Sequence, residues 1–167
     1  MEAPSADERT GGDPAALVQE NARRKARDVH ARLARARPDG PLPRVLGVDT
    51  EVVLSGRALG KPDGEAAARA LLEALSGREH DVMSGLVLID GAAEHARVAV
   101  TEVRFRALDG WLLDWYLETG EWRERAGGYA IQGRGAALVE SIQGDYLNVV
   151  GLPLGALLDV APAVLTA

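Results

Sequence analysis

Residues 44–77 read RVLGVDTEVVLSGRALGKPDGEAAARALLEALSG, and three structural units follow one another in that stretch. Val45, Leu46 and Val48 form a short apolar run, and Val52 and Val53 resume it after the polar Asp49-Thr50-Glu51, so 44–54 is predicted as a strand. The glycine-punctuated SGRALGKPDG (55–64) is a loop. EAAARALLEALSG (65–77) is a short amphipathic helix stopped at Gly77. Strand, loop and helix in this order predict an α/β fold.

The same pattern extends in both directions. Upstream, Asp13 is a candidate N-cap and Pro14 suits the first helical position. Leu17, Val18, Ala22, Ala26, Val29 and Leu33 recur at helical spacing, and Pro38, Gly40, Pro41 and Pro43 end the helix. Downstream, HDVMSGLVLID (80–90) and ARVAVTEVRFRAL (96–108) read as two long paired strands, with a slip in the alternation near Thr101 that predicts a bulge. Asp109 is positioned to cap a helix over 110–120, with Trp111, Leu112, Trp115 and Tyr116 as its apolar stripe. The segment 127–145 is a glycine-rich turn, a short strand piece and a strand over 136–142. The tail 146–162 is an apolar helix interrupted at Gly151-Leu152-Pro153.

Composition sets the limits. The chain has 167 residues, 47% of them hydrophobic and 26% charged, which fits one ordinary globular domain spanning 1–167. It has no cysteine, which removes disulfides, thiolate metal sites and cysteine nucleophiles. No apolar run reaches membrane-spanning length, and the polar first residues do not read as a signal peptide, so a cytosolic location is expected. The net charge of −6 has the wrong sign for a general nucleic-acid binder, yet a local cationic pocket for an anionic small molecule remains compatible with it.

Few residues stand out for chemistry. Gly56-Arg-Ala-Leu-Gly60-Lys61-Pro62 misses a phosphate-binding P-loop by one residue between the glycines, and Pro62 stands where a hydroxyl is needed. A lysine in such a loop can still reach a phosphate. Gly133-Arg-Gly135 is a tight turn rather than a dinucleotide fingerprint. His30, His80 and His95 lack metal-ligand spacing. Any metal would therefore be a hard cation on carboxylates, for which Asp49 is the best single candidate; the alternative is an aspartate turning out of the sheet into solvent. The arginines of the first helix read as a solvated face, with a nucleic-acid surface as the alternative.

Five blocks occur in order: VDTEVVLSGRALGKP (48–62), LSGREHDVMSGL (75–86), TEVRFRAL (101–108), WYLETGE (115–121) and AGGYAIQGRGAALVESIQGDYLNVVGLP (126–153). Together they resemble the Maf family of nucleoside triphosphate pyrophosphatases, the septum-formation-inhibitor-like proteins. The resemblance implies hydrolysis of a nucleoside triphosphate to the monophosphate and pyrophosphate with a divalent cation, magnesium or manganese. It also implies an elongated mixed sheet flanked by helices, two lobes around a cleft as in inosine-triphosphate pyrophosphatases, and a homodimer. By the same resemblance Asp49 falls on the catalytic aspartate, Lys61 on a phosphate-contacting lysine and Lys25 on the lysine of the first family helix. Glu8 falls on an acidic residue that would share the metal with Asp49. Thr50 and Gln132 fall on positions tied to base choice, and Thr50 with YAIQG resembles the dTTP/UTP-type branch.

Two departures accompany the match. The family's opening strand, helix and Ser-x-Ser-Pro-Arg-Arg-like loop have no counterpart, so the domain is expected to be incomplete at its N-terminus, which is read as a misassigned start, with a true truncation or a decayed paralogue as the alternatives. Glu124-Arg125 stands where the family usually has Asp-Lys. The loss leaves a second function open: a nucleotide-binding or cell-division regulatory protein without turnover.

Overall fold

The structure, a computed structural model, describes residues 12–38 and 40–162. Helix α1 (Pro14–Ala36) leads to strand β1 (Val45–Leu54), the two-residue strand β2 (Arg57–Ala58) and helix α2 (Glu65–Leu75). Strands β3 (Glu79–Asp90) and β4 (Ala93–Phe105) follow, then α3 (Gly110–Thr119), two 3-10 turns (Ala126–Gly128 and Arg134–Leu138) and β5 (Val139–Gln143). The chain closes with the short helices α4 (Tyr146–Val150) and α5 (Leu154–Val160). The α/β class holds and most predicted boundaries shift by a few residues, but the short strand piece expected ahead of 136 is turn and 3-10 backbone, and β2 lies in the segment read as a loop.

The strands form one sheet in the order β2-β1-β3-β4-β5. All four pairings are antiparallel, so among the described residues the sheet is not the mixed one expected. β1 turns directly into β2 and β3 into β4 by tight hairpins, which can only be antiparallel; β1–β3 and β4–β5 are joined through α2 and α3 and pair antiparallel as well.

The caps act as the sequence predicts, whereas the buried face of α3 does not. Asp13 accepts the amide of Ala15 and Asp109 that of Leu112, each satisfying a donor that the first helical turn leaves over. The buried face of α3 is Leu113, Tyr116 and Leu117; Trp111 is 72% exposed and lies outside the apolar stripe assigned to it. The bulge expected near Thr101 is absent. β3 and β4 pair without a break from Glu79–Arg104 to Asp90–Ala93, and the one irregularity lies between Arg104 and Phe105 on the β5 side. Thr101 breaks the apolar alternation because it is a buried polar group, hydrogen-bonded to the amide and carbonyl of Asp145.

Two cores lie on the sheet. The larger gathers Val52, Leu72, Leu75, Val82, Phe105, Tyr116 and Leu138 between the sheet and α2, α3 and the 3-10 turns. The smaller joins Ala22 and Ala26 of α1 to Val45, Val87 and Ile89. There the helix rests on the strand backbones themselves. A Cβ on Gly47 would lie 2.3 Å from the carbonyl oxygen of Ala22, and one on Gly85 would lie 2.3 Å from that of Val18. Both positions therefore require glycine, and both fix the height at which α1 sits.

His80 lies in the larger core, edge-on to Phe105 and Tyr129, with its Nε2 2.9 Å from the Tyr129 hydroxyl. Burial pushes its pKa down to about 4 from 6.5. The unfolded chain therefore binds a proton below pH 6.5 that the folded chain refuses until about pH 4. Stability is full above that window and falls as pH drops through it, by about 3 kcal/mol in all. Thermal unfolding from pH 7 to 4 is expected to show this loss, and His80→Gln is expected to flatten the slope.

Candidate active site

Asp49 and Thr50 are consecutive in β1, so their side chains leave the sheet on opposite faces. Asp49 faces α1. It is 6% exposed and stands in mid-strand opposite Gly85, neither at a strand end nor turned into solvent. One carboxylate oxygen accepts from Lys25 Nζ at 2.5 Å and the other from Asn21 Nδ2 at 3.0 Å. Asn21 and Lys25 are four residues apart, hence on one face of α1. The glycine beneath the helix makes the meeting possible, because Gly85, directly across from Asp49, leaves room for the helix backbone.

Asn21 was not singled out in the sequence, although a signal exists. It is a polar residue inside the apolar stripe Leu17-Val18-Asn21-Ala22-Lys25-Ala26, and a buried polar group must have a partner.

Thr50 faces the other way, into a cavity of about 150 Å³ that Lys61, Gln132, Tyr129, Val82 and Gly151 also line. Three of the residues singled out for nucleotide contact thus share one hollow. Lys61 is brought there by the glycine loop, since Gly60 O accepts the amide of Gly127 at 2.8 Å and ties the loop to the Ala126–Gly128 turn. Lys61 Nζ also lies 4.0 Å from Glu124 Oε2, an exposed pair of little energetic weight.

Gln132 rides on a segment fastened at several points. Tyr116 Oη accepts the amide of Ala130 at 3.1 Å, His80 holds Tyr129, and Glu121 Oε2 accepts the amides of Arg134 at 2.7 Å and Gly135 at 3.4 Å. A Cβ on Gly133 would strike the Glu121 carboxylate and one on Gly135 the carbonyl of Ala130. Glycine is therefore sterically required at 135, where the obstacle is backbone, whereas at 133 the Glu121 side chain would have to move. Gln132 also borders a second hollow of about 350 Å³ with Glu121, Arg123 and Arg125.

The two groups adjoin along β1. Its edge away from β3 is paired, among the described residues, only at Val53 and Leu54 by β2. At Asp49 and Thr50 that edge carries no strand among the described residues. Glu8 lies outside the described residues. Among the described residues no three histidines or acids gather into a metal-binding group. Asp49 alone is a hard-oxygen donor of the kind that magnesium takes when phosphates and water complete its shell. No helix among the described residues is long and apolar enough to cross a membrane.

Comparison with known proteins extends this picture. The family model for Maf-like protein matches residues 1–163. A dTTP/UTP pyrophosphatase of Symbiobacterium thermophilum is 50% identical over 141 residues, which is 84% of this chain and 69% of that protein. The dTTP/UTP pyrophosphatase of Thermococcus kodakarensis is 47% identical over 142 residues, 85% of this chain and 72% of the relative. That of Pyrococcus furiosus is 43% identical over 142 residues, 85% of this chain and 71% of the relative. With a family match over residues 1–163 and relatives at this identity, the chain belongs to the Maf-like protein family.

Proposed function

We propose that this chain is a nucleoside triphosphate pyrophosphatase that hydrolyses dTTP and UTP to the monophosphate and pyrophosphate. The observation that carries the reading is the convergence of Thr50, Lys61 and Gln132 on one cavity, one residue along β1 from the Asp49–Lys25 pair. Relatives 41–50% identical that carry the dTTP/UTP pyrophosphatase name support the same substrate class.

The residue chemistry suits the reaction. Water attacks the α-phosphorus, and the bond from that phosphorus to the oxygen bridging the α- and β-phosphates breaks. The bridging oxygen leaves on pyrophosphate with the bonding electron pair, and the water proton passes to Asp49. Lys25 and Lys61 offset charge on the phosphates, the electrostatic part that dominates phosphoryl chemistry. Both are lysines in an arginine-rich chain, and a compact ammonium is not replaced by a guanidinium fork. A magnesium or manganese ion bound by Asp49 and the nucleotide, with Glu8 as a further candidate ligand, would polarise a phosphoryl oxygen. Asn21 holds the Asp49 carboxylate in orientation. On the cavity side, the Gln132 amide offers a donor and an acceptor to a pyrimidine edge, beside the Thr50 hydroxyl. Homodimer assembly and a cytosolic location belong to the same reading, on the strength of the resemblance.

Pyrophosphate release from dTTP, UTP, CTP, dGTP and 7-methyl-GTP tests it, with dTTP and UTP expected as the preferred substrates. Gln132→Glu is expected to lower their kcat/KM about tenfold or more relative to the other nucleotides, because a carboxylate accepts but cannot donate. An unchanged substrate profile in that variant would remove Gln132 from base reading. No turnover of any nucleotide by folded protein would count against the enzyme.

A further inference from the structure

The two groups assigned to the base are held in different ways. Thr50 belongs to β1, and its Oγ1 lies 2.7 Å from Ser84 Oγ across the β1–β3 ladder, so the sheet fixes its place. Gln132 has no ladder to hold it. It sits in the turn between the two 3-10 segments, is exposed, and borders both hollows. Packing cannot fix such a side chain, so its aim depends on the backbone that carries it.

That backbone is tied on both sides of Gln132 by the C-terminal end of α3. Two residues before it, the amide of Ala130 donates to Tyr116 Oη at 3.1 Å. Two residues after it, the amide of Arg134 donates to Glu121 Oε2 at 2.7 Å. The direction of the second bond is fixed, because a backbone N–H only donates, and a carboxylate acceptor makes it stronger than a bond between neutral groups. Glu121 is itself held. α3 ends at Gly120 in the left-handed region, at φ 69°, and the Glu121 amide then donates to Thr119 Oγ1 at 3.1 Å. The Thr119 hydroxyl donates in turn to Tyr116 O at 2.6 Å. On the next residue, Trp122 Nε1 donates to Leu117 O at 3.1 Å within the core. The carboxylate also occupies the space over Gly133, where a Cβ would lie 2.4 Å from Oε2.

We propose that Glu121 is a positioning residue for base choice: its carboxylate fastens the turn that aims Gln132 at the base. A hydrogen-bonding group that is aimed in advance gives its full worth to the ligand, whereas a loosened one must first be ordered on binding. Glu121 thus acts through Gln132 and not on the reacting phosphates. This inference rests on the dTTP/UTP reading and adds the group that sets the aim of its base reader.

The test compares wild type, Glu121→Ala, Glu121→Gln, Glu121→Asp, Gln132→Ala and the Glu121→Ala/Gln132→Ala double variant in the full chain, each checked by thermal unfolding. Two readouts are taken: kcat/KM for dTTP against dGTP, and equilibrium binding of dTMP against dGMP. Glu121→Ala is expected to lower both ratios about tenfold. Glu121→Gln keeps an oxygen that accepts from Arg134 and should hold the ratios near wild type. Glu121→Asp draws the oxygens back from Arg134, should move the ratios in the same direction as alanine, and stands in if the alanine variant does not fold. In the Gln132→Ala background, removing Glu121 should leave the ratios where Gln132→Ala alone puts them, because the effect runs through Gln132. A merely structural tie would lower both nucleotides together. Unchanged ratios in a folded alanine or aspartate variant, an equal loss in Glu121→Gln, or additive losses in the double variant would each overturn the proposal. Equal binding of dTMP and dGMP by wild type would overturn it too. A wild type that prefers dTMP, with the preference lost in Glu121→Ala, but releases no pyrophosphate from dTTP would instead strike the pyrophosphatase reading and leave this one standing.

Discussion

Asp49→Asn is expected to lower turnover of dTTP by about a thousandfold while leaving nucleotide binding within a fewfold of wild type. The amide is nearly the same size; its oxygen can accept from Lys25 while its nitrogen donates to the Asn21 amide oxygen once that amide turns over, so the local packing of α1 on β1 is kept. It cannot take a proton from water, and it is a weak ligand for a cation. The effect should therefore fall on kcat and spare KM, the signature of an interaction realised in the transition state. Because Asp49 is 6% exposed and set among α1 side chains, thermal unfolding must be read alongside. A variant that folds, binds dTMP and fails to release pyrophosphate fits the assigned role. Near-normal activity would remove Asp49 from the chemistry.

Gly85→Ala is expected to damage stability and activity together, although position 85 contacts no proposed substrate. The added Cβ would lie 2.3 Å from Val18 O and 2.5 Å from Gln19 N. These are backbone atoms of α1, which cannot step aside singly, so the helix must lift. Overpacking of this kind costs about 1–3 kcal/mol, which corresponds to roughly 5 °C in Tm for a domain of this length. The same lift withdraws Asn21 and Lys25 from Asp49, and displacement of a positioned group by about 1 Å can cost on the order of a hundredfold in rate. Gly110→Ala is the control, since a Cβ there meets nothing within 4 Å. Equal Tm and activity in the two variants would contradict the role given to the close approach.

What the sequence could convey follows from how local each feature is. The α1 start was legible because Asp13, Pro14 and the apolar stripe are all local signals. The β3–β4 hairpin was legible because strand length and apolar content are local too. Asp49-Thr50-Glu51 looked like an interruption because period-two reasoning assigns one wet and one dry face. Here β1 is covered on both, by α1 and by the cavity wall. Thr101 looked like a bulge for a related reason: its partner is Asp145, 44 residues away. Trp111 was assigned to the core on hydrophobicity alone, and the helix phase turns it outward. The turns around Gln132 gave no periodic signal, since glycine-rich 3-10 segments have none. Within the candidate site, Asp49 and Lys61 stood out by residue type and position, Lys25, Thr50 and Gln132 were reached through the resemblance, and the structure divides the five between two faces of one strand. The residues that hold them (Asn21, Ser84, Glu121, His80) act across long sequence separations, which no local pattern records.

One measurement tests the central claim most directly: incubate the chain with dTTP and magnesium in water enriched in heavy oxygen, then determine which product carries the label. Attack at the α-phosphorus predicts dTMP bearing one heavy oxygen, unlabelled pyrophosphate and no free phosphate, with the reaction lost in Asp49→Asn. Labelled phosphate with dTDP, or no conversion of dTTP by folded protein, would contradict the account.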